Sequence, residues 1–137
     1  MKDDHGKSEA RAQLASILEM VAVLDRLRQI SAGISPTRFD TNEEEARTAI
    51  EQDPLSVLVR SDFHDVGIDT WNGGEAEILL STGGPACRII VQLDEHHEPE
   101  SVRMEYQDWG TPWTEYRLTT QEHDSALEYS RCFFYGE

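Results

Sequence analysis

Five histidines, two cysteines and a surplus of carboxylates are the side chains of this 137-residue sequence suited to acid–base, metal or nucleophilic chemistry. His96-His97 stands between Glu95 and Glu98, a composition that suits a metal ion. Adjacent residues on an extended loop point apart, however, and no second pair at ligand spacing accompanies them, so no metal site is expected. His64 lies beside Asp62 and Asp65, and His123 beside Asp124; both read as surface groups rather than acid–base machinery. A thiol nucleophile needs a base and an anion-stabilising hole. Cys87 alternates with Ile89 and Val91, and Cys132 sits among aromatic residues, so both read as small core residues. "TGGP" at 82–85 and "NGG" at 72–74 lack the lysine and following helix of a phosphate loop. No catalytic residue, metal or cofactor is assigned, and the expectation is a protein that is not an enzyme.

What remains is binding chemistry. Eight of the eleven aromatic residues fall in the last 32 positions, and "YQDWGTPWTEYR" alone holds two tryptophans and two tyrosines. Trp and Tyr cover large areas at low entropic cost, which enriches them at binding hot spots. Tyr106 and Tyr116 alternate with Val102, Met104 and Leu118 and are read as core. Trp109 and Trp113 flank the turn and either cap the sheet or line a surface. The acidic stretches are "FDTNEEEARTAIEQDP", "DFHDVGID" and "LDEHHEPE". Carboxylates spaced along helices and loops can imitate a phosphate row to the arginines of a DNA-binding protein. Glu43, Glu44, Glu45, Asp62, Asp65, Asp94, Glu95 and Glu98 are therefore the candidate partners for Lys and Arg, with Trp109 and Trp113 as candidate anchors.

The elements that position these residues follow from periodicity. From Ser8 to about Ile30, Leu14, Ile17, Leu18, Val21, Leu24 and Leu27 recur at spacings of three and four, predicting a long amphipathic helix closed by Gly33 and Pro36. Asp40 or Thr41 caps a second helix, "NEEEARTAIEQ", whose glutamates complement the helix dipole. Asp53-Pro54 reads as a further helix start, while "LSVLVRS" fits either a short buried helix or a strand. Residues 61–74 read as a loop.

From Glu75 the period changes to two. "EAEILLS", "ACRIIVQLD", "SVRMEYQDW" and "WTEYRLT" are predicted strands, with Cys87, Ile89, Val91 and Leu93 sharing one face. "TQEHDSALEYSRCFFYGE" is a closing helix with Ala126, Leu127, Tyr129, Cys132 and Phe133 toward the sheet. The fold class is α+β: a three- to four-stranded antiparallel β-meander with a long N-terminal helix, a second helix and a C-terminal helix. Residues 1–137 are expected to form one acidic domain, with 1–7 flexible.

The net charge of −15 is unevenly spread: residues 1–39 carry +1 and the other 98 residues carry −16. Such a field repels nucleic acid and steers association with basic surfaces. Direct nucleic-acid binding is not expected. Two cysteines make no disulfide framework, Met1 is followed by Lys2-Asp3-Asp4-His5 rather than an apolar segment, and "ILEMVAVL" is too short to span a bilayer. A cytosolic location without membrane contact is the expectation.

"LLSTGGPACRI" and "YQDWGTPWTEY", with "DPLSVLVRS" upstream, resemble a set of small uncharacterised proteins of bacterial phages, plasmids and integrative elements, over about residues 41–136. The resemblance carries no catalytic residues. It implies an accessory protein of a mobile element, a context in which small acidic proteins often inhibit host defence, as anti-CRISPR and anti-restriction proteins do. The expected function is binding and inhibition of a basic protein or nucleoprotein complex. The alternative is a structural or homo-oligomeric module in which the first helix pairs with a copy of itself. A small enzyme would require His64 or His123 to converge with carboxylates in a pocket.

Overall fold

The computed structural model describes residues 5–31, 43–61, 66, 73–83 and 85–135, the side chains of residues 30 and 31 excepted. Three helices, α1 (His5–Ser31), α2 (Glu43–Glu51) and α3 (Thr120–Ser130), accompany five strands. The strands are β1 (Ser56–Ser61), β2 (Gly74–Ser81), β3 (Ala86–Leu93), β4 (Pro99–Gln107) and β5 (Thr114–Tyr116). They form one antiparallel meander in the order β1-β2-β3-β4-β5. The α+β reading holds, with one strand more than expected. Gly33, Pro36, Asp40 and Thr41, read as helix caps, lie outside the described residues, as do His64 and most of the 61–74 loop.

The additional strand resolves the ambiguity of "LSVLVRS". Asp53-Pro54 does not begin a helix: Gln52 and Asp53 donate back to Thr48 and Ile50, closing α2, and the Leu55 N–H then donates to Leu79 O at 2.8 Å. That bond commits the chain to the sheet, and residues 56–61 pair with β2 from Ser56 opposite Leu79 to Ser61 opposite Gly74. The Asp53 carboxylate accepts the Tyr129 hydroxyl at 2.7 Å instead of capping a helix. Gly74, where β2 starts, has φ +148°, and a Cβ there would meet Arg60 O at 2.0 Å, so the β1–β2 join requires glycine.

Period two sorts the sheet into faces. Ala76, Ile78 and Leu80 of β2, Cys87, Ile89, Val91 and Leu93 of β3, and Val102 and Met104 of β4 point to one side and are buried. Against them pack Ala10, Leu14, Ile17, Val21, Leu24 and Leu27 of α1, and Ala126 and Tyr129 of α3; Ala46 and Ile50 join the same core from α2. Burying each large aliphatic side chain contributes about 2 kcal/mol, which explains why α1 lies flat on the sheet along its apolar stripe. α3 starts at a capping box in which Thr119 Oγ1 accepts the Glu122 N–H and the Glu122 carboxylate accepts the Thr119 N–H. Among the described residues no helix is long and apolar enough to cross a membrane.

Candidate functional site

The carboxylates singled out in the sequence fall in three places. Glu43, Glu44 and Glu45 occupy the first turn of α2, where the unpaired N–H groups of a helix start favour negative charge. Asp94, Glu95 and Glu98 occupy the β3–β4 turn. Asp62 and Asp65 lie outside the described residues.

Their surroundings divide them by role. Glu43 accepts from Arg28 Nε at 3.4 Å, and the same guanidinium reaches Glu128 of α3 at 3.3 Å and Asp25 at 3.9 Å, so one arginine joins all three helices. Asp94 is the organiser of its turn: Oδ1 accepts the His96 N–H at 2.8 Å and the Glu98 N–H at 3.0 Å. Those backbone donors, first that of Glu98, hold its carboxyl below the usual carboxylate range. His97 adopts φ +63° there and is buried, while its neighbour His96 is exposed. Glu44, Glu45, Glu95 and Glu98 are exposed.

Trp109 and Trp113 separate as well. In the turn from Asp108 to Thr111, the Thr111 N–H donates to Asp108 O at 3.2 Å and Gly110 takes φ +71°, a conformation that favours glycine. This puts Trp109 at the tip, 77% exposed. Trp113 is half-buried, with the Arg88 guanidinium 4.1 Å from its ring centroid. Tyr106 and Tyr116 face the core side and meet edge to face at 6.5 Å. The tryptophan turn and the Asp94 turn lie at opposite ends of β4, whose nine residues span about 26 Å at roughly 3.3 Å per step. These two groups cannot form one compact patch.

The face of the sheet away from the helices holds a charge lattice that sequence reading missed. Arg60 Nε donates to Glu75 at 3.0 Å, Glu75 meets Arg103 at 3.5 Å, and Arg103 bonds Glu105 at 3.1 Å. Arg88 then bridges Glu105 and Glu77, each at 2.7 Å. Hydrogen bonding from Arg60, aided by the charge of Arg103, keeps the Glu75 carboxyl below its ordinary value despite partial burial. The signal was legible in the alternation: Glu75 and Glu77, Arg88, and Arg103 and Glu105 all occupy the polar parity of their strands.

Both cysteines and His123 are engaged within the fold. Burial pushes the Cys87 thiol up to about 12 and raises that of Cys132, so both are poor nucleophiles. His123 Nε2 accepts the Val102 N–H at 3.3 Å, which fixes the ring against the part of β4 that β5 leaves unpaired. Among the described residues no cluster of three or more His, Cys, Asp or Glu is placed to hold a metal ion.

A surface hollow beside the helices also combines apolar and acidic groups. Between α1 and α2 a groove of about 420 Å³ is lined by Ser16, Met20, Val23, Ala46 and Ala49, with Glu19 and Glu45 beside them. In comparisons with known proteins, no family, no curated protein and no solved structure matches the chain.

Proposed function

We propose that this protein is an accessory protein of a mobile genetic element that binds a basic, nucleic-acid-binding host-defence protein and obstructs its groove, in the manner of an anti-CRISPR inhibitor. The observation that carries this reading is how the cations are used. Among the described residues, Arg28, Arg47, Arg60, Arg88, Arg103 and Arg131 sit in ion pairs with the protein's own carboxylates. The outward field is therefore set by the surplus carboxylates, Glu44, Glu95 and Glu98 among them, which present negative charge to arginines as phosphates do. The exposed ring of Trp109 adds an apolar anchor of the kind that dominates interface energies.

The test is binding to purified nucleoprotein effectors of CRISPR and restriction systems across a salt series. A complex that forms at about 0.05 M salt, weakens at least tenfold by about 0.5 M and excludes the target DNA is the expected result. Binding that is absent, or indifferent to salt, sinks the reading.

A homo-oligomeric module is the second reading, and one observation favours it: Leu58 and Val59 of the edge strand β1, and Leu55 just before it, are exposed. The apolar stripe of α1 is buried in the protein's own core, so this reading is carried by β1. Light scattering over a concentration series separates the two readings.

A further inference from the structure

We propose that the groove between α1 and α2 is the docking site for a basic amphipathic helix of the partner. The inference rests on the reading of the protein as a binder of basic proteins and locates that activity on one surface.

The groove has the two ingredients such a helix needs. Ser16, Glu19, Met20 and Val23 follow one another at i, i+3, i+4 and i+7, so they form a single stripe along α1 beside the buried stripe of Ile17, Val21 and Leu24. On α2 the facing positions are Ala46 and Ala49, side chains too small to fill the space between the helices. Met20 and Val23 are only partly buried against the core and supply a floor that another apolar side chain can cover. Met adapts its shape to what it meets.

Charge complementarity selects the occupant. Glu19 stands on the α1 side and Glu45 on the α2 side, both exposed, and no Lys or Arg is among the described residues that line the groove. A segment seated there places apolar side chains on Met20, Val23 and Ala49 and its flanking cations against the two carboxylates, the arrangement of a helix laid in a groove. An acidic segment meets repulsion at both lips and from the net charge of −15. A hollow this open, without buried polar groups converging on its floor, suits a polypeptide surface better than a small metabolite.

The experiment titrates the full-length protein with three synthetic helical peptides: a Leu/Lys peptide with its leucines in one stripe, a peptide of the same composition with the stripe scrambled, and a Leu/Glu peptide with the stripe kept. The striped basic peptide is expected to bind at least tenfold more tightly than the scrambled one, and the acidic peptide not at all. Ala49→Phe, which fills the groove, and Glu19→Lys, which reverses one lip, are each expected to weaken the striped peptide about tenfold, with circular dichroism confirming the fold. Glu95→Lys/Glu98→Lys in the β3–β4 turn is expected to leave that preference intact.

If the striped and scrambled peptides bind equally, or if Glu95→Lys/Glu98→Lys abolishes binding while Ala49→Phe and Glu19→Lys do not, the groove is not the site although the acidic-binder reading stands. If no basic peptide binds at low salt, both fall. Concentration-dependent dimerisation abolished by Ala49→Phe would show the groove to be covered by a second copy, and would also overturn the proposal.

Discussion

Cys87, Cys132, Tyr129 and Tyr135 are the residues whose protons the fold holds most tightly. Burial is the first cause in each case, reinforced at Tyr129 by its bond to the Asp53 carboxylate. The Cys87 thiol ionises near 9.0 in water and at about 12 in the folded protein. Between those pH values the unfolded chain has released a proton that the folded chain keeps, so stability falls as pH rises. The two tyrosines and Cys132 act in the same direction. Urea unfolding at about pH 8 and about pH 11 is expected to show a loss of roughly 1.4 kcal/mol per pH unit for each group caught between its two values. A constant unfolding free energy up to pH 11 would mean that these groups ionise as freely in the fold as in water. The alternation of Cys87 with Ile89 and Val91 already announced a core thiol, because a side chain on the apolar parity of a central strand has only the core to enter. The partnership of Tyr129 with Asp53, 76 positions apart, was not legible. Asp53-Pro54 imitates a helix start locally, and only the arrival of α3 beside it gives the carboxylate another use.

Among the elements, the sheet has two unequal faces, one buried under α1 and α3 and the other carrying the Arg–Glu lattice. Arg88 is its hub, since it joins Glu77 on β2 to Glu105 on β4 and stacks over Trp113. Replacing Arg88 by Ala leaves two half-buried carboxylates without their shared cation and Trp113 without its stacking partner. A loss of about 1–3 kcal/mol is expected in urea unfolding, discounted from the cost in a dry interior because the face is partly open to water. Arg88→Lys should recover only part of it, since an ammonium cannot bridge two carboxylates in the same planar fork. An unchanged urea midpoint in Arg88→Ala would show that the lattice contributes nothing to stability. The identities of these residues were visible in the sequence, but their pairing depends on register. Arg88 falls opposite Leu79 on one side and Glu105 on the other, and a slip of one residue in either ladder would break the bridge.

For the whole molecule, charge is the dominant property. A net charge of −15 on 137 residues repels itself in the compact state, and added salt screens that repulsion. Raising sodium chloride from about 0.05 M to about 0.5 M is expected to raise the melting temperature by a few degrees, because the many long-range repulsions weaken more than the short Arg–Glu contacts do. A falling melting temperature over that range would reverse the ranking and make the ion pairs the larger contribution. The same screening would weaken the proposed complex with a basic partner, so salt is expected to stabilise the protein alone while loosening that complex.

By itself, the sequence determined the α+β class, the amphipathic stripe of α1, the core strands and the acidic character, because each is a matter of local periodicity or of counting. Tertiary structure decided the rest. It turned "LSVLVRS" into an edge strand, since β2 offered a ladder that outweighed a local helix signal at Asp53-Pro54. It assigned Glu43 to Arg28 and Asp94 to its own turn, leaving other carboxylates to face outward. It put Trp109 at an exposed tip and Trp113 under Arg88, a distinction that two tryptophans four residues apart cannot reveal. The physical reason is the same throughout: a side chain's type fixes what it can bond, but whether that bond is made inside the protein or offered to another depends on what the fold brings beside it.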